Sequence, residues 1–235
     1  MMFMKIALIG AMKIEIDGLV AALSQPSAAR VGGIQIHSGR LYEIPVCIAA
    51  CNPGKINAAI CAQTLWLNEH PTEMISLGVA GGTRCLKIGQ AAIADSLVQH
   101  DVDTTAVGDP LGFLSGLGVV SIQTDPSIRE GLYQAALRAQ IPVCRSRFAT
   151  GDQFVSPARL AQIKSQFNAD VAEMEAGAIA QVCYRAQLPF GALRVISDNG
   201  DAQADYETFK FEAARLSMQI LSEYLSKKKE PVSPH

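Results

Sequence analysis

Glu173 and Glu175 flank Met174 in the run Val171-Ala172-Glu173-Met174-Glu175-Ala176, between a short β-like stretch and a helix expected from about Gly177. In a chain only 18% charged, two acids at an apolar strand-to-helix junction call for a reason. The carboxyl ends of strands are where open α/β sheets gather their ligands. Taken alone, both acids also read as first-turn residues that complement the helix dipole. Two more carboxylates shift the balance. Glu15 falls in the first turn after an apolar strand, and Asp198 closes another strand with Ser197 beside it. One sheet edge could therefore hold Glu15, Glu175 and Asp198 together.

Three carboxylates without a metal-ligand set suit acid–base work. Cleaving a C–N bond at a sugar carbon builds positive charge on the ring, which a nearby carboxylate stabilises. One acid must protonate the departing base and another must stay ionised to activate water, so their surroundings must differ. Arg194 adds to the constellation, because an arginine inside an apolar strand is costly unless paired or functional. A buried Arg–Glu pair of purely structural purpose fits the same residues.

The elements that position these groups follow from the hydrophobic pattern. Lys5-Ile6-Ala7-Leu8-Ile9-Gly10-Ala11 reads as a buried parallel strand, followed by a helix to about Leu23. Gly10 stands alone, so the glycine fingerprint of a dinucleotide site is missing and a nicotinamide enzyme is disfavoured. Residues 34–38 and 46–51 read as a hairpin, and Asn52-Pro53-Gly54-Lys55 as a turn into a helix from Ile56 to about Glu69. Lys55 is expected to face solvent, since no phosphate-loop spacing surrounds it. Met74 to Gly78 is expected as a strand that empties into a small-residue loop, Val79-Ala80-Gly81-Gly82, where backbone can approach a ligand closely.

A strand at 91–95 leads to a polar loop, 100–109, whose single His and several Asp lack the companions of a metal site. Residues 119–122, a helix from Ser127 to Ala139 and a strand ending at Thr150 read as a β–α–β unit. Phe154 and Val155 follow the Gly151-Asp152 turn, where they could form a stacking wall for a flat ring, although Phe154 by itself reads as a core aromatic. A helix from Pro157, the acidic junction, a helix to Arg185, the strand 190–198 and an amphipathic helix from Tyr206 to about Leu225 complete the chain.

The bulk properties agree. At 235 residues the chain fits one α/β domain, placed at residues 1–226, with a solvated tail at 227–235. A 49% apolar content fits a sheet covered on both faces. Net charge is −2 with no basic block, which argues against a nucleic-acid partner. Six cysteines show no CxxC pair, so zinc is not expected and most read as small hydrophobes. No apolar stretch reaches the roughly 18 residues of a membrane span, and the start lacks the pattern of a signal peptide. The cytoplasm is the expected compartment.

Together, Ile9-Gly10-Ala11-Met12 with Glu15, Ala80-Gly81-Gly82, Gly151-Asp152 with Phe154, Glu173-Met174-Glu175-Ala176, and Arg194 with Ile196-Ser197-Asp198 resemble the bacterial 5′-methylthioadenosine/S-adenosylhomocysteine nucleosidases of the nucleoside phosphorylase superfamily. The similarity runs from about Lys5 to Leu225. It implies a three-layer α/β sandwich around a mixed, partly barrelled sheet, a homodimer, no cofactor and no metal. It also implies hydrolysis of the N-glycosidic bond of a purine nucleoside. On the matching positions, Glu15 would activate water. Glu175 would hold the ribose hydroxyls, with Glu173, the Met174 backbone and Arg194 close by. Asp198, steadied by Ser197, would protonate N7 of the purine. Phe154 would stack on the base while the Val155 backbone reads its edge, and Met12, Pro53 and Tyr206 would line the pocket for the 5′ substituent.

Three segments depart from the family pattern: Cys51-Asn52-Pro53-Gly54-Lys55 replaces Ser-Gly-Ile-Gly-Lys, Val79 replaces the serine of Ser-Ala-Gly-Gly, and Thr104, Val107 and Asp109 stand where an aromatic segment normally reaches the partner's site. The last change makes the 5′ pocket less apolar, and a nucleosidase of futalosine or 6-amino-6-deoxyfutalosine shares the same core. A phosphorylase would need a strong anion site, yet Lys13-Ile14-Glu15 stands where an arginine-bearing loop would be and Val79 brings no hydroxyl. A nucleoside-binding protein without catalysis is the reading from another class, and retention of all three acids speaks against it.

Overall fold

In the computed structural model, residues 4–83, 85–199 and 203–228 are described. The Met1–Phe3 start and residues 229–235 of the expected tail lie outside them. β1 (Ile6–Gly10) is buried along its whole length. Its side chains alternate between faces: Ala7 and Ile9 join one core, Ile6 and Leu8 the other. α1 (Lys13–Ala21) follows, then β2 (Ser24–Val31), β3 (Ile34–Leu41), β4 (Ile44–Ala50) and α2 (Lys55–Glu69). The middle of the chain supplies β5 (Glu73–Gly82), β6 (Ala91–Gln99), a 3₁₀ turn (Thr105–Val107), β7 (Ser121–Gln123) and α3 (Pro126–Arg138). The rest is β8 (Val143–Thr150), α4 (Pro157–Phe167), β9 (Val171–Glu173), α5 (Ala176–Ala186), β10 (Phe190–Asp198) and α6 (Gln203–Lys227).

The strands form one mixed sheet in the order β10-β6-β8-β9-β5-β1-β4-β3-β2. Because β10 also pairs with β5, strands β5, β10, β6, β8 and β9 close into a five-strand barrel inside the larger sheet. The double duty of β5 makes closure feasible. Residues 74–81 pair with β10, while Gly81 and Gly82 also reach β9. Helices cover both sides, with α2 and α5 packed on one core and α1, α3 and α6 on the other. The result is a three-layer α/β sandwich around a mixed, partly barrelled sheet. Two helix starts are set by local chemistry: Asp125 caps α3 ahead of Pro126, and Ser156 caps α4 ahead of Pro157.

Several expectations need correction. Val79 to Gly82 is not a loop but the end of β5, held extended by its two neighbours. Residues 121–150 are not a parallel β–α–β unit, since β7 runs antiparallel to β6 and β8 parallel to it. The expected solvated tail begins too early: α6 runs through Lys227, and Lys228 pairs with the carboxylate of Glu73 and donates to the Tyr224 hydroxyl at 2.7 Å. Glu73 is buried at the start of β5 and requires a cation nearby. No helix among the described residues is long and apolar enough to cross a membrane.

Candidate active site

Glu15 is the third residue of α1, yet it is buried rather than solvated, because the helix starts directly against the end of β1. Its Oε2 accepts the amides of Ala11 at 2.7 Å and Met12 at 2.8 Å, and its Oε1 accepts the amide of Val79 at 3.0 Å. Burial pushes its pKa up, while those amides and Arg194 oppose the rise. Three amides fix the carboxylate, and counting lone pairs leaves one acceptor position on Oε1.

Asp198 ends β10 just past an irregularity, where the pairing with β5 passes from Ile196–Ala80 to Asp198–Gly81. The extra residue, Ser197, re-aims the strand end in the manner of a bulge. The Ser197 hydroxyl lies 3.0 Å from Asp198 Oδ2 and 3.3 Å from the Ala80 carbonyl. A Cβ at Gly81 would lie 3.3 Å from Asp198 Oδ1, a tight contact that the glycine avoids.

Glu173 and Glu175 divide their work by orientation. Glu173 Oε2 accepts the amides of Glu175 at 3.0 Å and Ala176 at 2.6 Å, together with Arg194 Nη2 at 2.6 Å, and Oε1 accepts from the Thr150 hydroxyl. Its carboxylate is thus committed to the start of α5 and to the buried arginine. Glu175 Oε1 accepts the amide of Gly54 at 3.0 Å, and Oε2 lies 3.6 Å from Arg194. Burial, reinforced by the neighbouring Glu173, raises the Glu175 pKa to about 7. Arg194 is fully buried. Its Nη1 donates to Ser76 Oγ and to the Leu193 carbonyl, both at 3.1 Å. Burial alone would lower the Arg194 pKa, but the facing carboxylates of Glu173, Glu175 and Glu15 raise it instead.

One cavity of about 220 Å³ gathers these groups. Glu15, Glu173, Glu175 and Asp198 all reach its wall, with Ser197 and Met174 between them. Met12, Pro53, Val79, Phe154, Val155 and Tyr206 also line it. Arg194 does not line it; it stands behind Glu173 as a counter-ion, and that corrects its expected place beside the sugar. No Lys or Arg lines the cavity among the described residues, so the wall is acidic. Nor does any cluster of His, Cys, Asp or Glu among the described residues form a candidate metal site.

Phe154 is 62% exposed at the mouth rather than in the core, and its ring meets Tyr206 edge-on at 5.7 Å. The Tyr206 hydroxyl lies 3.3 Å from the Met12 sulfur. Lys55 also departs from expectation. Its Nζ is turned inward to Asp101 Oδ1 at 2.7 Å and Gln99 Oε1 at 3.2 Å. Sequence reasoning missed Gln153 in the wall and the Gly54 amide that meets Glu175. A glycine directly before a helix that opens with a lysine was the available signal for the latter.

The closed barrel and the acidic cavity at its rim define a protein of the phosphorylase superfamily, whose profile matches residues 5–226. The chain belongs, within that superfamily, to the 5′-methylthioadenosine/S-adenosylhomocysteine nucleosidase family. It is 35% identical over 227 residues to the Staphylococcus aureus (strain JH9) nucleosidase of that name, covering 94% of this chain and 99% of the relative. The Neisseria meningitidis nucleosidase, solved with methylthio-immucillin-A, superposes with a TM-score of 0.92 at 30% identity, over 95% of this chain and 99% of that one. The futalosine hydrolase of Helicobacter pylori strain 26695 superposes with a TM-score of 0.91 at 30% identity, over 96% and 99%.

Proposed function

We propose that this chain hydrolyses the N-glycosidic bond of 5′-methylthioadenosine and S-adenosylhomocysteine-type nucleosides and releases adenine. The carrying observation is that Glu15, Glu175 and Asp198 line one cavity with no cationic side chain in its wall among the described residues. As the C1′–N9 bond lengthens, positive charge grows on the ribose and the acidic wall stabilises it. Asp198 gives its proton to N7, so the base leaves neutral. Glu15 takes a proton from the water that adds to C1′, using the acceptor position its three amides leave. Glu175 accepts from the ribose hydroxyls, and Phe154 stacks on the base.

Hydrolysis is favoured over phosphorolysis on charge. A phosphate brought beside C1′ would face several carboxylates with no arginine or lysine among the described residues of the wall to bind it. The second reading is a futalosine or aminodeoxyfutalosine nucleosidase. It is supported by the equally good superposition on the Helicobacter pylori enzyme and by the polar Thr104–Asp109 pair, 2.7 Å apart, in the segment expected to meet a partner's site.

A homodimer is part of the proposal. Ile56, Ile60 and Leu67 are exposed on one α2 surface, and Val107 is 81% exposed, a pattern that favours burial against a second copy. Six free cysteines support a reducing compartment, the cytoplasm. The test is an ultraviolet assay of purified protein on methylthioadenosine, adenosylhomocysteine, futalosine and inosine, with and without phosphate. Phosphate-independent adenine release supports the proposal; strict phosphate dependence with ribose 1-phosphate formed overturns it.

A further inference from the structure

Outside the cavity, three charged residues tie two of its walls together. Asp101 Oδ1 accepts from Lys55 Nζ at 2.7 Å, and Asp101 Oδ2 accepts the amide of Asp152 at 2.9 Å. Asp152 Oδ1 in turn accepts the amide of Lys55 at 2.7 Å, across 97 residues of sequence. Burial would raise the Asp101 pKa, but Lys55 and the Asp152 amide outweigh it and hold the carboxyl below its ordinary value.

What hangs on each end of this ring is part of the cavity. One residue before Lys55, the Gly54 amide holds Glu175 and Pro53 forms the lip. One residue after Asp152 begin Gln153, Phe154 and Val155, the base side of the cavity. Residues 152–154 are exposed, so packing contributes little to their placement and hydrogen bonds must set it. At Gly151 the backbone also passes so close to the buried His100 that a Cβ would lie 2.3 Å from Nε2. Gly54 adopts φ +101°, and a Cβ on it would meet Asp152 Oδ1 at 3.1 Å, so the turn is shaped to admit that carboxylate.

We infer that Lys55, Asp101 and Asp152 form a positioning network that fixes the gap between the sugar-holding wall at Gly54–Glu175 and the base-holding wall at Phe154–Val155. The inference rests on the nucleoside reading above. None of the three touches the reacting atoms. The network acts through Glu175 and the base platform, not through Glu15 or Asp198.

The test combines amide hydrogen exchange with steady-state kinetics on Asp101→Asn, Lys55→Met and Lys55→Arg. In Asp101→Asn and Lys55→Met, exchange at residues 152–155 should accelerate about 10-fold, the loss of one charge-assisted hydrogen bond, while β1 and β10 keep wild-type protection. KM should rise about 10-fold and kcat fall less than about 3-fold, because ground-state placement is lost and the acid and base stay in position. Lys55→Arg should recover at least half of the lost protection. Asp103→Asn, a surface acid two residues away whose partner among the described residues is Thr105, is the control and should change neither readout. Unchanged exchange at 152–155, or a fall in kcat with KM constant, overturns the inference. A wild-type protein that turns over none of the four nucleosides overturns the parent reading instead, and the exchange result still decides whether the network positions the loop.

Discussion

The amide of Val79 reaches Oε1 of Glu15 at 3.0 Å across a space that only the preceding glycine leaves open. A Cβ at Gly78 would lie 2.4 Å from that same oxygen. Glu15 cannot swing aside, because its other oxygen is held by two more amides. Gly78→Ala should therefore displace the carboxylate we propose to activate water. We expect kcat to fall about 100-fold, the lower range for losing a positioned general base, with a melting temperature lower by a few degrees. Stopped-time adenine release and a thermal melt on the same sample check this.

Glu175 carries a stability cost that depends on pH. Its folded pKa of about 7 exceeds its ordinary 4.5, so the folded chain binds that proton more tightly than the unfolded chain does. The stabilisation is complete below about pH 4.5 and is lost as pH rises through about 7. Glu175→Gln keeps an acceptor for the Gly54 amide and removes the charge. It should be the more stable protein at pH 8, by on the order of 2–3 kcal/mol, and lose that advantage toward pH 5, while its turnover falls. Melts of both proteins across pH 5–8 show whether the difference grows with pH. Glu15, also shifted upward, leaves a residual gradient of the same sign in the variant.

Arg194 supports the fold through the acids it neutralises. Arg194→Met would leave Glu173 and Glu175 buried without their cation, at about 3–5 kcal/mol. Adding Glu173→Gln should return part of that loss. Denaturant titrations of the single and double variants measure the recovery, and additive losses would contradict the pairing.

Phe154 should behave in the opposite way. It is mostly exposed, and its ring touches Tyr206 only edge-on. Phe154→Leu should leave the melting temperature within about two degrees. It should raise KM roughly 10-fold, since aromatic stacking contributes about 0.5–1.5 kcal/mol beyond area.

The sequence pattern made β1, α2, β10 and the helices legible because each buries a continuous run or a helical stripe. It hid β2, whose residues Ser24–Val31 are almost all exposed and show no alternation; pairing with β3 alone makes it a strand. Barrel closure was equally hidden, since nothing in Met74–Gly82 states that one strand serves β1, β9 and β10. At the site, the acids themselves stood out, but which of Glu173 and Glu175 faces the cavity's chemistry depends on a single turn at the start of α5. The Lys55–Asp101–Asp152 ring joins residues 46 and 97 positions apart, beyond the reach of local spacing.

The central proposal is that Glu15 and Asp198, which line one cavity, act on the same nucleoside. Its most direct test is the single-turnover rate of adenine release from 5′-methylthioadenosine in phosphate-free buffer, for wild type, Glu15→Gln and Asp198→Asn. Each variant should lose about 10²–10⁴ in rate while remaining folded. Release at the wild-type rate by either variant would contradict the account.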